Sequence, residues 1–128
     1  MGTELSMLLY TTLLAFVLIV VHATVVSLKM GIPWAFSNRS EPAHAGETAD
    51  RLKRAVENHK EGLIFFAPVA LIIAIGGLST PLTVLGAQIY FFARVAHALT
   101  YAAGIAYVRS VAWVAGIVGF LMMVVGIF

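Results

Sequence analysis

The sequence predicts an all-α integral membrane protein, a single domain over residues 1–128 built as a bundle of four transmembrane helices. Three observations carry that reading. Charged residues make up only 11% of the chain and hydrophobic ones 61%, whereas a soluble domain carries about 25% charged residues. Four apolar blocks follow one another, each near the roughly 20 residues that a helix needs to cross the hydrocarbon core. The cations avoid those blocks almost completely and gather on alternate connections. A net charge of +2 on so apolar a chain argues against a nucleic-acid partner. With no cysteine, the chain has neither a disulfide nor a thiolate of its own.

The first span covers about 5–28, with His22 as its one ionisable side chain. It is read as a true span and not a cleaved leader, because no cation precedes it and Glu4 stands where a leader is positive. A loop over about 31–48, "GIPWAFSNRSEPAHAGET", is broken by Pro33 and Pro42. The second helix is expected to begin near Glu47, to reach the bilayer at about 60, to kink at Pro68 and to end at Gly76–Gly77 (span about 60–78). Pro81 suits the first turn of a third span over about 81–107. A fourth span covers about 110–128, which centres the last connection on Val108 to Ser110. Trp34 and Trp113 read as interfacial aromatics, and Gly116 and Gly119 as helix-packing positions.

Orientation follows from the cations. Lys29, Arg39, Arg51, Lys53, Arg54 and Lys60 lie between the first two spans, and Arg109 between the last two. In a four-span chain those connections share a side, which the positive-inside rule makes cytoplasmic, with both termini opposite. Arg94, inside the third span, is left over.

The densest charge in the chain, "RLKRAVENHKEG" from Arg51 to Gly62, runs straight into an uncharged apolar segment. At 100° per residue, Arg51, Arg54, Asn58 and Glu61 fall within about 80° of arc on one helical face, while Lys53, Glu57 and Lys60 read as a solvated juxtamembrane face. In the third span Tyr90, Arg94, His97, Tyr101 and Gly104 share a face, among alanines that permit close packing. Ionisable residues at membrane depth face a bundle interior or a watery cavity. Arg94 therefore either pairs with Glu61 as a structural tie or contacts a ligand, and both readings stand at this level. His22, His44, His59 and His97 show neither i,i+4 pairing nor an HExxH pattern, so no metal site is expected.

These stretches carry a resemblance. "RLKRAVENHKE" resembles the second-helix signature RxxRAxxNxxE of the MAPEG family, the membrane-associated proteins in eicosanoid and glutathione metabolism. "ARVAHALTYAAGIAYVRSVAW", Ala93 to Trp113, is similar to that family's third helix and following turn, in the branch of the microsomal prostaglandin E synthases and glutathione transferases. The resemblance implies a homotrimer of four-helix subunits that binds glutathione between neighbouring subunits near the cytoplasmic face. It implies glutathione contacts at Arg54, Asn58 and Glu61 of the second helix and at Arg94, His97 and Tyr101 of the third. Arg109 matches the arginine that activates the thiol, and Arg51 a structural position. Val56 and Glu57 stand where other members offer polar or basic groups, and Gly62 and Leu63 where some carry a ligand-contacting tyrosine. A role for Arg39 or Glu41 of the first loop stays open.

The chemistry suits that role. Arginines hold carboxylates bidentately, Glu61 can take an amine, and Asn58 offers both donor and acceptor. A thiol of pKa near 8.5 is only a few per cent ionised at neutral pH. Shifting it by about two units takes roughly 2.7 kcal/mol, and one arginine about 4 Å away supplies on the order of 4 kcal/mol at an effective dielectric of 20, before desolvation. The leading expectation is a glutathione-dependent, transferase-like membrane enzyme or peroxidase acting on a lipophilic small molecule, surrounded by membrane lipids. The alternative is a non-catalytic member of the same fold, a structural or partner subunit whose stripes hold helices together.

The orientation has a direct check. A cysteine placed at Ser37 should react with impermeant thiol reagents from the cytoplasmic side only, and labelling from the other side would invert the topology.

Overall fold

A computed structural model describes residues 1–38 and 45–128, and its regular elements among them are all helical. Helix α1 spans Thr3–Met30, a short α2 Ile32–Ala35, α3 Glu47–Gly76, α4 Pro81–Ala103 and α5 Ala106–Ile127. Four of these, α1, α3, α4 and α5, are long and apolar enough to cross a membrane. The protein is a multi-pass integral membrane protein, and exposed side chains such as Phe16, Ile64, Ile75 and Phe92 meet lipid.

Helix α4 is the centre of the arrangement. It touches α1, α3 and α5, whereas α1 and α5 do not meet among the described residues. In its most apolar window 44% of residues are buried, against 22% or less in the other spans. Its closest partner is α5, because glycines let the two backbones touch. A β-carbon on Gly119 would lie 2.6 Å from the Gly86 carbonyl oxygen and 2.7 Å from the Tyr90 nitrogen. Apolar side chains gain little from leaving lipid for another apolar surface, so such close van der Waals packing is what holds membrane helices together. Beside that seam lies a core of Phe66, Ala70, Ile73, Ala87, Tyr90 and Met123. The Phe66 and Tyr90 rings stack there with centroids 4.2 Å apart and planes 6° off parallel.

Polar contacts fix the two ends. Thr80 caps α4: its hydroxyl accepts from the Thr83 amide at 3.2 Å, and the Thr83 hydroxyl accepts from the Thr80 amide at 2.8 Å. Glu4 is buried against this cap, accepting from the Ser79 hydroxyl at 2.7 Å and the Thr83 hydroxyl at 2.6 Å. The clamp joins the start of α1 to the start of α4, where the helix dipole favours a carboxylate. At the other end Arg51 bridges α3 to α4, donating from Nη1 to Glu47 at 2.8 Å and from Nε to the Ala102 carbonyl at 3.3 Å. The structural part assigned to Arg51 agrees with that geometry.

Several expected boundaries hold, including the start of α3 at Glu47, its end at Gly76 and the Pro81 start of α4. The last connection does not. It falls at Gly104–Ile105, so the third and fourth spans divide there and not at Val108 to Ser110. Gly104 takes a left-handed conformation, φ 77°, and its amide closes the helix onto Thr100 and Tyr101. That glycine termination ends α4 before the polar residues are reached. Arg109 consequently lies in the first turn of α5. Pro33, read as a breaker, occupies the start of α2, and α3 continues through Pro68. Arg39, Glu41, Pro42 and His44 lie outside the described residues.

The α4–α5 seam makes a prediction. Gly119→Val should lower the thermal unfolding temperature in detergent, with an overpacking cost of roughly 1–3 kcal/mol or more. The same change at Gly77, where a β-carbon meets nothing within 4 Å but φ is 63°, should act only through local backbone strain.

Candidate functional site

Residues from α3, α4 and α5 converge on one face of α4. Helix α4 contributes Tyr90, Arg94 and His97, spaced so that all three lie on one face, and each is buried. Helix α3 contributes Asn58, Glu61, Gly62 and Phe65, and α5 contributes Arg109, Trp113, Gly116 and Ile117. They line two adjoining recesses that share Asn58 and Trp113 as walls. The inner one, about 140 Å³, is bounded by Glu61, Gly62, Tyr90 and Arg94. The outer one, about 510 Å³, is bounded by His97, Tyr101, Arg109 and Ser110.

Arg94 organises the inner recess. Its stem passes Gly116 of α5, where a β-carbon would lie 3.8 Å from Cδ. Its guanidinium donates from Nη1 to the Asn58 side-chain oxygen at 3.0 Å and from Nε to His59 Nδ1 at 3.4 Å. His59 is itself buried on the α1-facing side of α3, with Nε2 2.9 Å from the Thr11 carbonyl oxygen of α1. A carbonyl only accepts, so Nε2 carries the proton and Nδ1 is left to receive Arg94. One guanidinium is thereby tied through a single imidazole to α1 and directly to α3. Among the described residues its Nη2 has no hydrogen-bond partner, nor have the Tyr90 hydroxyl and His97 Nδ1. Three buried polar atoms on one face of one helix thus stand beside the recesses without partners. Buried polar groups are ordinarily satisfied, so this cluster is the candidate site of the described residues.

In the outer recess the Arg109 guanidinium lies over the Tyr101 ring, 4.6 Å from its centroid. The Tyr101 ring in turn meets His97 edge-on with centroids 5.4 Å apart. A cation held by a ring face keeps its N–H groups free in its own plane. Trp113, expected as an interfacial anchor, is the wall common to both recesses.

Of the residues singled out from sequence, Asn58, Glu61, Arg94, His97, Tyr101 and Arg109 come together in this one region. Arg54 does not. It is exposed on α3 and lines neither recess within the single chain, although it shares an arc with Asn58 and Glu61. The anticipated Arg94–Glu61 tie is replaced by Arg94 with Asn58 and His59, and Glu61 is exposed at the rim of the inner recess. His59 and Tyr90 were missed as site residues. His59 had a legible signal: an ionisable residue one position from the stripe, on the turn where the helix enters lipid.

The fold and this cluster define a class: a four-span membrane protein with a polar cluster between three of its helices. The chain belongs to the MAPEG family, whose model matches residues 7–128 and so nearly the whole length. That membership fits a membrane function related to glutathione or eicosanoids. Comparisons with curated proteins and with solved structures gave no match.

The Arg94 tether is testable. His59→Leu keeps the volume but leaves Arg94 Nε without an acceptor, and should destabilise the protein by about 1–3 kcal/mol. Thermal unfolding of the detergent-solubilised variant measures it, and an unchanged midpoint would show that the tether contributes nothing.

Proposed function

We propose that the protein is a glutathione-dependent membrane transferase or peroxidase acting on lipophilic electrophiles. The single observation that carries this is the buried Arg94 with its unpartnered Nη2, set in a recess that continues to the cation of Arg109. The group that fits must present carboxylate to an arginine, an amine to Glu61 and a third function to Arg109, with donor–acceptor contacts for Asn58, His97 and Tyr101. Glutathione has those functions, and its thiol supplies the nucleophile when bound.

The chain's own part is binding and charge stabilisation. Arg94 and Asn58 are held against each other before any ligand arrives, so little ordering is left to do on binding. Arg109 rests over the Tyr101 ring at the edge of the outer recess, and so stabilises a thiolate there by charge and by hydrogen bonding. The electrophile enters from the bilayer along the apolar flank of α5, where Trp113, Val114 and Ile117 are exposed. In this reading the chain works as a homotrimer, and the exposed Arg54, which lines neither recess of its own chain, meets the ligand held by a neighbouring subunit. The charged connections face the cytoplasm, which supplies glutathione.

One observation favours a second reading, a non-catalytic subunit of the same fold: Arg94, Asn58, His59 and Thr11 also tie α1, α3 and α4 together. A pH–rate profile with a generic lipophilic electrophile separates the two. Arg109→Ala should retain most glutathione affinity but lose turnover at neutral pH, and recover part of it as the pH rises toward the thiol's ordinary pKa of about 8.5. Arg109→Lys should keep part of the neutral-pH rate, because a point charge also stabilises thiolate. Profiles unchanged in both variants would remove Arg109 from the chemistry. A parent without activity would favour the second reading.

A further inference from the structure

Tyr90 has a place in the site that its position in the chain does not announce. Its ring is fixed by the parallel stack on Phe66, and its hydroxyl is aimed at α3 over Gly62. A β-carbon at Gly62 would collide with that hydroxyl, while the next nearest ring atom would be 3.6 Å away, ordinary contact distance. Gly62 is therefore the one residue type that leaves the Tyr90 hydroxyl where it is. The hydroxyl has no hydrogen-bond partner among the described residues although Tyr90 is only 4% exposed, and Tyr90, Gly62 and Arg94 line the same inner recess.

Arg94 supplies the reason for a second donor there. Its Nε is engaged by His59 and its Nη1 by Asn58, so the Nε–Nη2 edge that grips both oxygens of a carboxylate is not free. Nη2 is the one nitrogen of the guanidinium that is wholly unengaged among the described residues. A carboxylate taken by Nη2 needs another donor for its remaining lone pairs, and the Tyr90 hydroxyl lies one helical turn away on the same face. Glu61 lines this recess too. A bare carboxylate beside it would be repelled, whereas one with an adjacent ammonium would satisfy both charges.

We infer that Tyr90 is a ligand-binding residue, its hydroxyl and Arg94 Nη2 together holding the α-carboxylate of an α-amino-acid group whose ammonium is taken by Glu61. In glutathione this is the γ-glutamyl end, and the assignment rests on the glutathione reading above. The inner recess is then a zwitterion site. Its specificity depends on a tyrosine of α4 placed over a glycine of α3.

The test uses the full-length protein in detergent and calorimetric titration with glutathione. Tyr90→Phe keeps the ring stack and removes a hydroxyl that has no partner within the chain, so its unfolding temperature should stay at the parent's while glutathione binding weakens by roughly tenfold. Gly62→Ala, which displaces the hydroxyl, should weaken binding comparably. Gly62→Ala combined with Tyr90→Phe should weaken it little beyond either alone, because the phenyl ring leaves room for the methyl. A glutathione analogue lacking only the γ-glutamyl α-carboxylate should bind parent and Tyr90→Phe equally. Parent-like glutathione affinity in Tyr90→Phe, or equal sensitivity to Tyr90→Phe with that analogue, would overturn the inference and leave the glutathione reading intact. A parent that binds no glutathione would overturn both.

Discussion

A guanidinium cannot stand unpaired at the depth of a lipid bilayer, and the position of Arg94 in α4 imposes that constraint on the rest of the bundle. Its partners must come from α3, so α3 has to present Asn58 and His59 to α4 where its sequence turns from charged to apolar. His59 would then be a second buried polar group, and α1 answers it with the Thr11 carbonyl. On the other flank the arginine stem needs space, and Gly116 of α5 gives it. Register between all four long helices is thus tied to one side chain. Its hydrogen bonds contribute modestly to net stability, but the cost of leaving any of these groups unpaired restricts the packings available to the chain.

The remaining polar contacts keep away from that centre. At one end of α4 Glu4 closes on the Thr80–Thr83 cap, and at the other Arg51 closes on the Ala102 carbonyl. Between the Glu4 clamp and Arg94 lie the glycine seam with α5 and the Phe66–Tyr90 stack. These tight apolar contacts hold the helices without help from solvent. A recess next to such a rigid seam stays open because the backbones that bound it have no room to collapse. The unpartnered atoms of Tyr90, Arg94 and His97 are therefore held in place beside it.

Much of this was legible in the chain. The four spans, the start of α3 at Glu47 and the two faces carrying Asn58, Glu61, Arg94, His97 and Tyr101 follow from hydropathy, breakers and helical periodicity. Periodicity says which residues share a face but not which neighbour that face meets. For that reason Arg54, on the same arc as Asn58, faces outward in the single chain, and Glu61 gives way to His59 as the partner of Arg94. The end of α4 lies earlier than hydropathy places it, because the termination signal is Gly104 and not the polar pair Arg109 and Ser110. Tyr90 was placed on the correct face, yet its part depends on the absence of a side chain at Gly62, a relation between two helices that no local pattern contains.

The corrected end of α4 changes the physics expected of Arg109. In a loose turn, a long cationic side chain samples many rotamers and must be ordered by the ligand. In the first turn of α5 its backbone is fixed, and its guanidinium already rests on Tyr101, which α4 holds against His97. The same turn carries the unsatisfied amides of a helix N-terminus, whose partial positive charge adds to that of the arginine for any anion in the outer recess. Both effects favour a negative group near Arg109 over a neutral one. Trp113, one turn further along α5, stands between this charged end and the exposed apolar flank. The boundary between the charged end and the apolar flank is therefore drawn within the first two turns of one helix.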